Sequence, residues 1–332
     1  MSVLGWLPRK LGRIVADQVY DRMAPPLGDL ERRLKAAMPP VASPAPDAQQ
    51  LALPPPTTGT ALLFDYPTSA ENRPRWTRGK GGHAGLRAII ERDRALWSAS
   101  LQRLAARGAE TAKLAEGAIH ETLEEGDPRP RWRNAMMAGL DATAFTVFVD
   151  SRTRQVIEIG SGNSTKFLRH FVEALGLETK IVSIDPFPRA ECDALCDTAI
   201  RKPLESVDLA LFDRLETGDV VFFDGSHRCF MNSDVTAFFL DVLPRIPTGV
   251  AVGVHDIFLP DDYPEEWAER YYSEQYVLGA YLLGAAERLR VTLPAYWASV
   301  NREALGLDAI ADAFGCPRDR FDGCSFWLEK VD

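Results

Sequence analysis

The sequence has no apolar run long enough to cross a bilayer, few cysteines and no surplus of positive charge, and each absence narrows what it can do. A membrane-spanning helix needs about 20 consecutive, mostly apolar residues, and no stretch of this chain offers them. The five cysteines, at 192, 196, 229, 316 and 324, are an odd number in a chain of 332 residues. The closest pair, in CDALC, is separated by three residues instead of two, so neither a disulfide framework nor a zinc ribbon is expected. Lys and Arg number 38 against 47 Asp and Glu, a net charge of -9, which argues against a nucleic-acid partner gripped through its phosphates. The opening MSVLGWLPRKLGR lacks the basic, apolar and small-residue order of a secretory signal. Together these absences predict a cytoplasmic chain, without a transmembrane segment, acting on a small-molecule substrate.

What is present is a globular composition, 46% apolar and 26% charged, in a length that suits one large domain with additions, or two domains. Residues 1–38 read as amphipathic helices broken at Pro25-Pro26. Leu7, Leu11, Ile14, Val15, Val19 and Met23 form one stripe there, with Arg9, Lys10, Arg13 and Arg22 off it. Such a stripe needs a cover: the body of the protein, a second subunit (a homo-oligomer or partner contact) or an anionic membrane surface. Residues 39–60, PPVASPAPDAQQLALPPPTTGT, have the composition of an extended linker. Residues 61–150 read as a helical cap or lid, or as further core. Within them Leu86, Ile89, Ile90, Leu96, Trp97, Leu101 and Leu104 space like one amphipathic helix, and NAMMAGLDATAFTVFVDSR like another.

From Gln155 the rhythm becomes strand, helix, strand, helix. The predicted strands are 156–160, 180–185, 219–224, 249–256, 290–297 and 325–331, with a weak one near 198–201. STKFLRHFVEALGL and SDVTAFFLDVLPRI supply helices between them. Alternation of buried strands with helices predicts a largely parallel sheet covered on both faces. The expected fold over residues 151–332 is therefore α/β, doubly wound and Rossmann-like, with an N-terminal helical extension.

The first of these strands runs into VIEIGSGNST. Gly160, Ser161 and Gly162 make a tight turn where backbone can approach a ligand, and the helix that follows offers free N–H groups. A nicotinamide fingerprint would need Gly or Ala where Thr165 stands, which weakens a dehydrogenase reading. Glu158 lies two residues before the first glycine, giving Glu-x-Gly-x-Gly, and the second strand ends in SIDPFPR, with Asp185 placed to accept hydrogen bonds from a ribose diol. At this point the chain resembles the class I S-adenosylmethionine-dependent methyltransferases. The resemblance runs on through VVFFDGSH and GVHDIFLPDDYPEEW to GCSFWLEK, from about Asn134 to the end, and is closest to a branch related to natural-product and sugar O-methyltransferases. It implies S-adenosylmethionine as cofactor, held by Glu158, Gly160, Ser161, Gly162 and Asp185 with Asp224 beside it, and adenine contacts near residues 201–205.

Methyl transfer from a sulfonium is an in-line displacement, so the acceptor must be aligned and made more nucleophilic. Two pairs of residues suit that work: Asp224 and His227 after the fourth strand, His255 and Asp256 after the fifth. Neighbouring parallel strands deliver both pairs to the edge that carries the cofactor loop. Two routes stay open. His227 or His255 acts as general base, with Asp224 or Asp256 orienting it; or, as the resemblance to metal-dependent members implies, Asp224, His255 and Asp256 hold a divalent ion. An imidazole there suits manganese, iron or zinc better than magnesium. Downstream, Asp261, Asp262, Glu265, Glu266, Trp267, Tyr271 and Tyr272 suit either a solvated helix or a sugar-binding wall. The expected activity is O-methylation of a sugar or other small polar metabolite. Its rivals are a metal-dependent hydroxylase-type enzyme on the same fold and a non-catalytic binding protein.

Overall fold

The computed structural model describes residues 73–331 except 112–118, 124–125 and 189–191. The N-terminal helices and proline-rich linker expected for residues 1–60 lie outside the described residues. Seven strands form one sheet: β1 Gln155–Ile159, β2 Lys180–Ile184, β3 Thr198–Ile200, β4 Val220–Phe223, β5 Ala251–Val254, β6 Leu289–Pro294 and β7 Phe326–Lys330. Their order is β3-β2-β1-β4-β5-β7-β6. The pairings are parallel from β3 across to β5, and β7 runs antiparallel to both of its neighbours. This is the expected Rossmann-like, mostly parallel architecture. Its strand order reverses between β1 and β4, so the crevice for a ligand opens where Ile159 and Phe223 end.

Alternation of side chains along each strand builds two cores. Ile157, Ile159, Val221 and Phe223 face one, while Val156, Val220 and Phe222 face the other. Helices Ala84–Arg92 and Glu274–Ala285 pack on the first face; Arg94–Thr111, Gly139–Phe148, Asn163–Ala174 and Leu307–Phe314 pack on the second. The described α-helices before residue 150 are therefore built into the cores that flank the sheet. Among the described residues, no helix is long and apolar enough to cross a membrane.

The structure corrects several element boundaries. Residues 84–111 are two helices broken at Asp93. The chain turns around the sheet edge there: the Asp93 carboxylate accepts the Val291 N–H of edge strand β6 at 2.8 Å, and Arg92 donates to the Leu289 and Ala286 carbonyls. Leu86, Ile89 and Ile90 thus enter one core, Trp97, Leu101 and Leu104 the other, and Leu96 is left exposed. The contacts also occupy part of an otherwise open sheet edge. The next helix starts only at Gly139, because the Asn134 side chain accepts the N–H groups of Met136 and Met137 and forms a polar turn. The strand expected at 290–297 ends at Pro294 and turns helical from Ala295. The helix after β4 begins as α at Asp234–Ala237, widens to π at Phe238–Val242 and tightens to 3-10 at Leu243–Arg245, where Pro244 lacks an N–H.

Candidate active site

Two cavities meet at the carboxyl ends of β1, β4 and β5. The first, about 700 Å³, is lined by Gly160, Ser161, Gly162, Asp185, Phe187, Pro203, Leu204 and Glu205, among others. The second, about 520 Å³, is lined by Trp132, Asp141, His255, Asp256, Trp267, Arg270, Tyr272 and Cys324, among others. Asp224, His227, Met136 and Met137 line both. Both volumes are in the range of small-ligand sites.

The first cavity is shaped by close backbone approach. Gly160 has φ +82°, and a Cβ on it would lie 1.8 Å from the carbonyl oxygen of Asp224, so no other residue fits between β1 and β4. Gly162 sits in open space, with nothing within 4 Å of such a Cβ. Thr165 caps the next helix by accepting the Gly162 N–H at 3.0 Å and donates its hydroxyl to Glu158 at 2.5 Å. Asp185 ties two loops together: one oxygen accepts the Ser161 N–H at 2.8 Å and the Ser161 hydroxyl, the other accepts the Phe187 N–H at 2.8 Å. Its carboxylate is therefore committed in part to the loops as well as lining the cavity. Near residues 201–205, it is Pro203, Leu204 and Glu205 that reach the cavity, while Arg201 turns to Asp193, Ser183 and the Asp185 carbonyl.

Glu158 is fully buried and one of its oxygens has no partner. Burial raises its pKa from 4.5 to about 7, against the hydrogen bonds from Ser164 and Thr165. Between those two values the folded protein holds a proton that the unfolded chain has released, so stability falls as pH rises through the window. A shift of that size corresponds to on the order of 3 kcal/mol. Thermal unfolding of the cofactor-free protein is expected to show a decline from pH 5 to pH 8 that Glu158→Gln makes shallower, buried Glu274 and His227, whose pKa values are also raised, supplying the remainder. An equally steep decline in the variant would remove Glu158 as its cause.

At the boundary of the two cavities the carboxylates and imidazoles alternate. His227 Nδ1 lies 2.5 Å from Glu274 Oε1, and its Nε2 lies 3.5 Å from both Asp224 Oδ1 and Asp256 Oδ2. His255 Nε2 lies 3.3 Å from Asp141 Oδ2, and its Nδ1 lies 3.5 Å from Asp224 Oδ1 and 3.4 Å from Asp256 Oδ1. Burial works against charge on His227, but Glu274, Asp224 and Asp256 outweigh it and raise its pKa to about 9. The site is held under backbone strain. His227 and Asp256 have φ of 63° and 56°, a region that side chains other than glycine rarely adopt. The first is pinned where the Ser273 N–H donates to the His227 carbonyl at 2.8 Å. Upstream, Asp234 accepts from both the N–H and hydroxyl of Ser226, fixing the turn that presents Asp224.

Thus Asp224, His227, His255 and Asp256 come together at one edge, and Asp224, at the end of β4, lines both cavities. Two further acids complete the cluster without having been expected. Asp141 and Glu274 have no solvent exposure, and each engages the outer nitrogen of one imidazole. Asp141 could have been noticed as the one acid in the apolar run GLDATAF; Glu274 looks like any acid at a helix start. Of the acids further on, Glu265 and Glu266 are exposed on a short helix, as a solvated helix would have them, whereas Asp261 and Asp262 are buried and take other roles. Asp262 accepts the N–H groups of Arg75 and Trp76, and Asp261 accepts the Tyr296 hydroxyl. Residues 265–270 form a 3-10 helix. Trp267 does reach the second cavity, but Tyr271 is 53% exposed and it is Tyr272 that stacks on His227, with ring centres 4.4 Å apart.

Residues 157–257 match the family described as a methyltransferase domain, a span that starts in β1 and ends just past Asp256. Solved structures with similarity to the chain include the O-methyltransferase TomG from Streptomyces achromogenes, involved in tomaymycin synthesis and solved with S-adenosylmethionine: 16% identity, 70% of this chain and 89% of that one covered, TM-score 0.32. An O-methyltransferase from Bacillus cereus, solved with S-adenosylhomocysteine, shows 14% identity, covers 74% of this chain and 100% of that one, and has a TM-score of 0.32. Likenesses at that level carry nothing about substrate. No curated protein sequence matches the chain. The family match lies across the cofactor loop and the strand-end acids, in agreement with the resemblance to the class I S-adenosylmethionine-dependent methyltransferases.

Proposed function

We propose that the protein transfers the methyl group of S-adenosylmethionine to a hydroxyl oxygen of a sugar or other small polar metabolite, with a divalent ion held at Asp224, His255 and Asp256. The observation that carries this reading is the junction: one cavity bounded by the glycine loop, a second bounded by aromatic and polar side chains, and Asp224 and His227 lining both. The residues suit the cofactor. Gly160 and Gly162 leave the loop backbone open, Ser161 and Asp185 border the same cavity, and Glu158 beneath it keeps one carboxylate oxygen without a partner. They suit a divalent ion as well, since among the described residues the buried His255 Nδ1 has no hydrogen-bond partner and two carboxylates stand beside it.

In this reading Glu158, Gly160, Ser161, Gly162 and Asp185 hold the cofactor, and Asp224 presents the acceptor at the boundary. A bound divalent ion would lower the acceptor hydroxyl's pKa and supply an oxyanion for displacement. The chain's own residues orient the acceptor: Trp267 and Tyr272 offer apolar faces, and Arg270 lies flat over Trp267 at 3.9 Å. Asp141 and Glu274 fix the two imidazole rings.

The test is release of S-adenosylhomocysteine with a methylated product when the protein is given S-adenosylmethionine, a divalent ion and a panel of sugars and small diols. Calorimetry that finds no S-adenosylmethionine binding would overturn the reading in favour of a non-catalytic role. Acceptor-dependent oxygen consumption without methyl transfer would favour a hydroxylase.

A further inference from the structure

We infer that the site is a two-histidine, two-carboxylate one, with His227 as its fourth ligand, and that it selects a borderline transition ion such as manganese or zinc over magnesium. This rests on the reading of the strand-end cluster as metal-holding, and adds a ligand and a choice of ion to it.

The spacing is the first argument. His227 Nε2 and His255 Nδ1 both stand 3.5 Å from Asp224 Oδ1, and each lies beside a different oxygen of Asp256, at 3.5 Å from Oδ2 and 3.4 Å from Oδ1 respectively. These gaps are long for charge-assisted hydrogen bonds, which fall at about 2.7–2.9 Å. They match the ligand-to-ligand edge of a tetrahedron, about 3.4 Å when metal–ligand bonds are about 2.1 Å. Among the described residues, the inner nitrogen of His255 has no hydrogen-bond partner although its ring is buried. A buried, unpartnered imidazole nitrogen flanked by two carboxylates is costly unless something else fills the gap.

The second argument is the outer pair of acids. A ligating histidine commonly donates its far N–H to a carboxylate, which fixes the tautomer and turns the near lone pair toward the ion. Here both rings have such a partner: Glu274 for His227 at 2.5 Å and Asp141 for His255 at 3.3 Å. A general base needs only one such arrangement; two, turned inward on the same two carboxylates, describe ligands. The left-handed backbone at His227 and Asp256 is the kind of local strain that a functional site retains. Magnesium prefers oxygen donors and retains its waters, whereas imidazole nitrogen suits manganese, iron and zinc.

The test uses the full chain, stripped with chelator and titrated by calorimetry with Mn²⁺, Zn²⁺ and Mg²⁺, together with pulsed EPR of the Mn²⁺-loaded protein. Mn²⁺ and Zn²⁺ are expected to bind at least about tenfold more tightly than Mg²⁺, and the spectrum to show nitrogen couplings from two imidazoles. His227→Gln and His255→Gln should each leave one, and Glu274→Gln should weaken Mn²⁺ binding by about 10–100-fold. The wild-type nitrogen count needs no variant, so a variant that fails to fold does not spoil the test. One imidazole in the wild type, or Mg²⁺ bound as tightly as Mn²⁺, overturns the inference while leaving a metal site in place. No ion bound at all overturns the underlying metal reading. The ligand atoms of Asp224, His227 and Asp256 lie close enough together for one ion, and so do those of Asp141, His255 and Cys324; a sulfur-to-cobalt charge-transfer band on Co²⁺ loading would place the ion at the latter three and overturn the inference.

Discussion

Asp224→Asn is expected to lower kcat for methyl transfer by about 10²–10³-fold or more, with the fold intact. The expectation follows from where the side chain stands. Asp224 lines both cavities and its Oδ1 is 3.5 Å from each histidine. Among the described residues it is the one carboxylate that lines both cavities. Its backbone N–H donates to the Ile159 carbonyl at 2.8 Å and its own carbonyl packs against Gly160. Asn keeps the shape of the side chain and leaves those backbone contacts alone, so the fold should survive. The loss should fall in kcat more than in KM for S-adenosylmethionine, because a group that acts mainly as charge develops on the acceptor is felt in the transition state. A variant with activity close to the wild type would remove Asp224 from the reacting edge.

Gly160→Ala should be the most damaging single change in the cofactor loop. A methyl group there meets the Asp224 carbonyl oxygen at 1.8 Å, on a backbone with φ +82°. The obstacle is backbone, in the centre of the sheet, and cannot rotate away. Left-handed strain and overpacking together cost about 2–5 kcal/mol. Relaxing the clash would push the ends of β1 and β4 apart, which opens the crevice and should abolish measurable binding of S-adenosylhomocysteine. Gly162 is the informative contrast. A Cβ there meets nothing in the protein, so Gly162→Ala should fold with stability changed by about 1 kcal/mol or less. If it nevertheless weakens S-adenosylhomocysteine binding by calorimetry, the space that glycine leaves is kept for the ligand. Unchanged affinity would separate Gly162 from the cofactor.

The sheet was legible because its strands are short apolar runs ending on Gly, Asp or His, and such runs pair only where both faces are covered. The helices were less so. Apolar spacing passes through Asp93 without a break, yet the chain changes sheet face there; what decides the break is the Val291 N–H of an edge strand nearly two hundred residues away, which periodicity cannot see. The same holds at the site. Strand ends gave Asp224, His227, His255 and Asp256 directly, because a parallel sheet collects them at one edge. Asp141 and Glu274 come from helices whose docking onto that edge is a tertiary matter, and Asp261 and Asp262 read as solvated acids until Tyr296, Arg75 and Trp76 fold against them.

The central claim is that cofactor and acceptor meet at Asp224 beside a metal. Its most direct test is a crystal structure of the full chain grown with S-adenosylhomocysteine and Mn²⁺, with anomalous difference density collected. The cofactor is expected in the cavity bounded by Gly160, Asp185 and Pro203, with one anomalous peak among Asp224, His227, His255 and Asp256. A cofactor bound elsewhere, or a fully occupied cofactor with no anomalous peak at those four side chains, would contradict it.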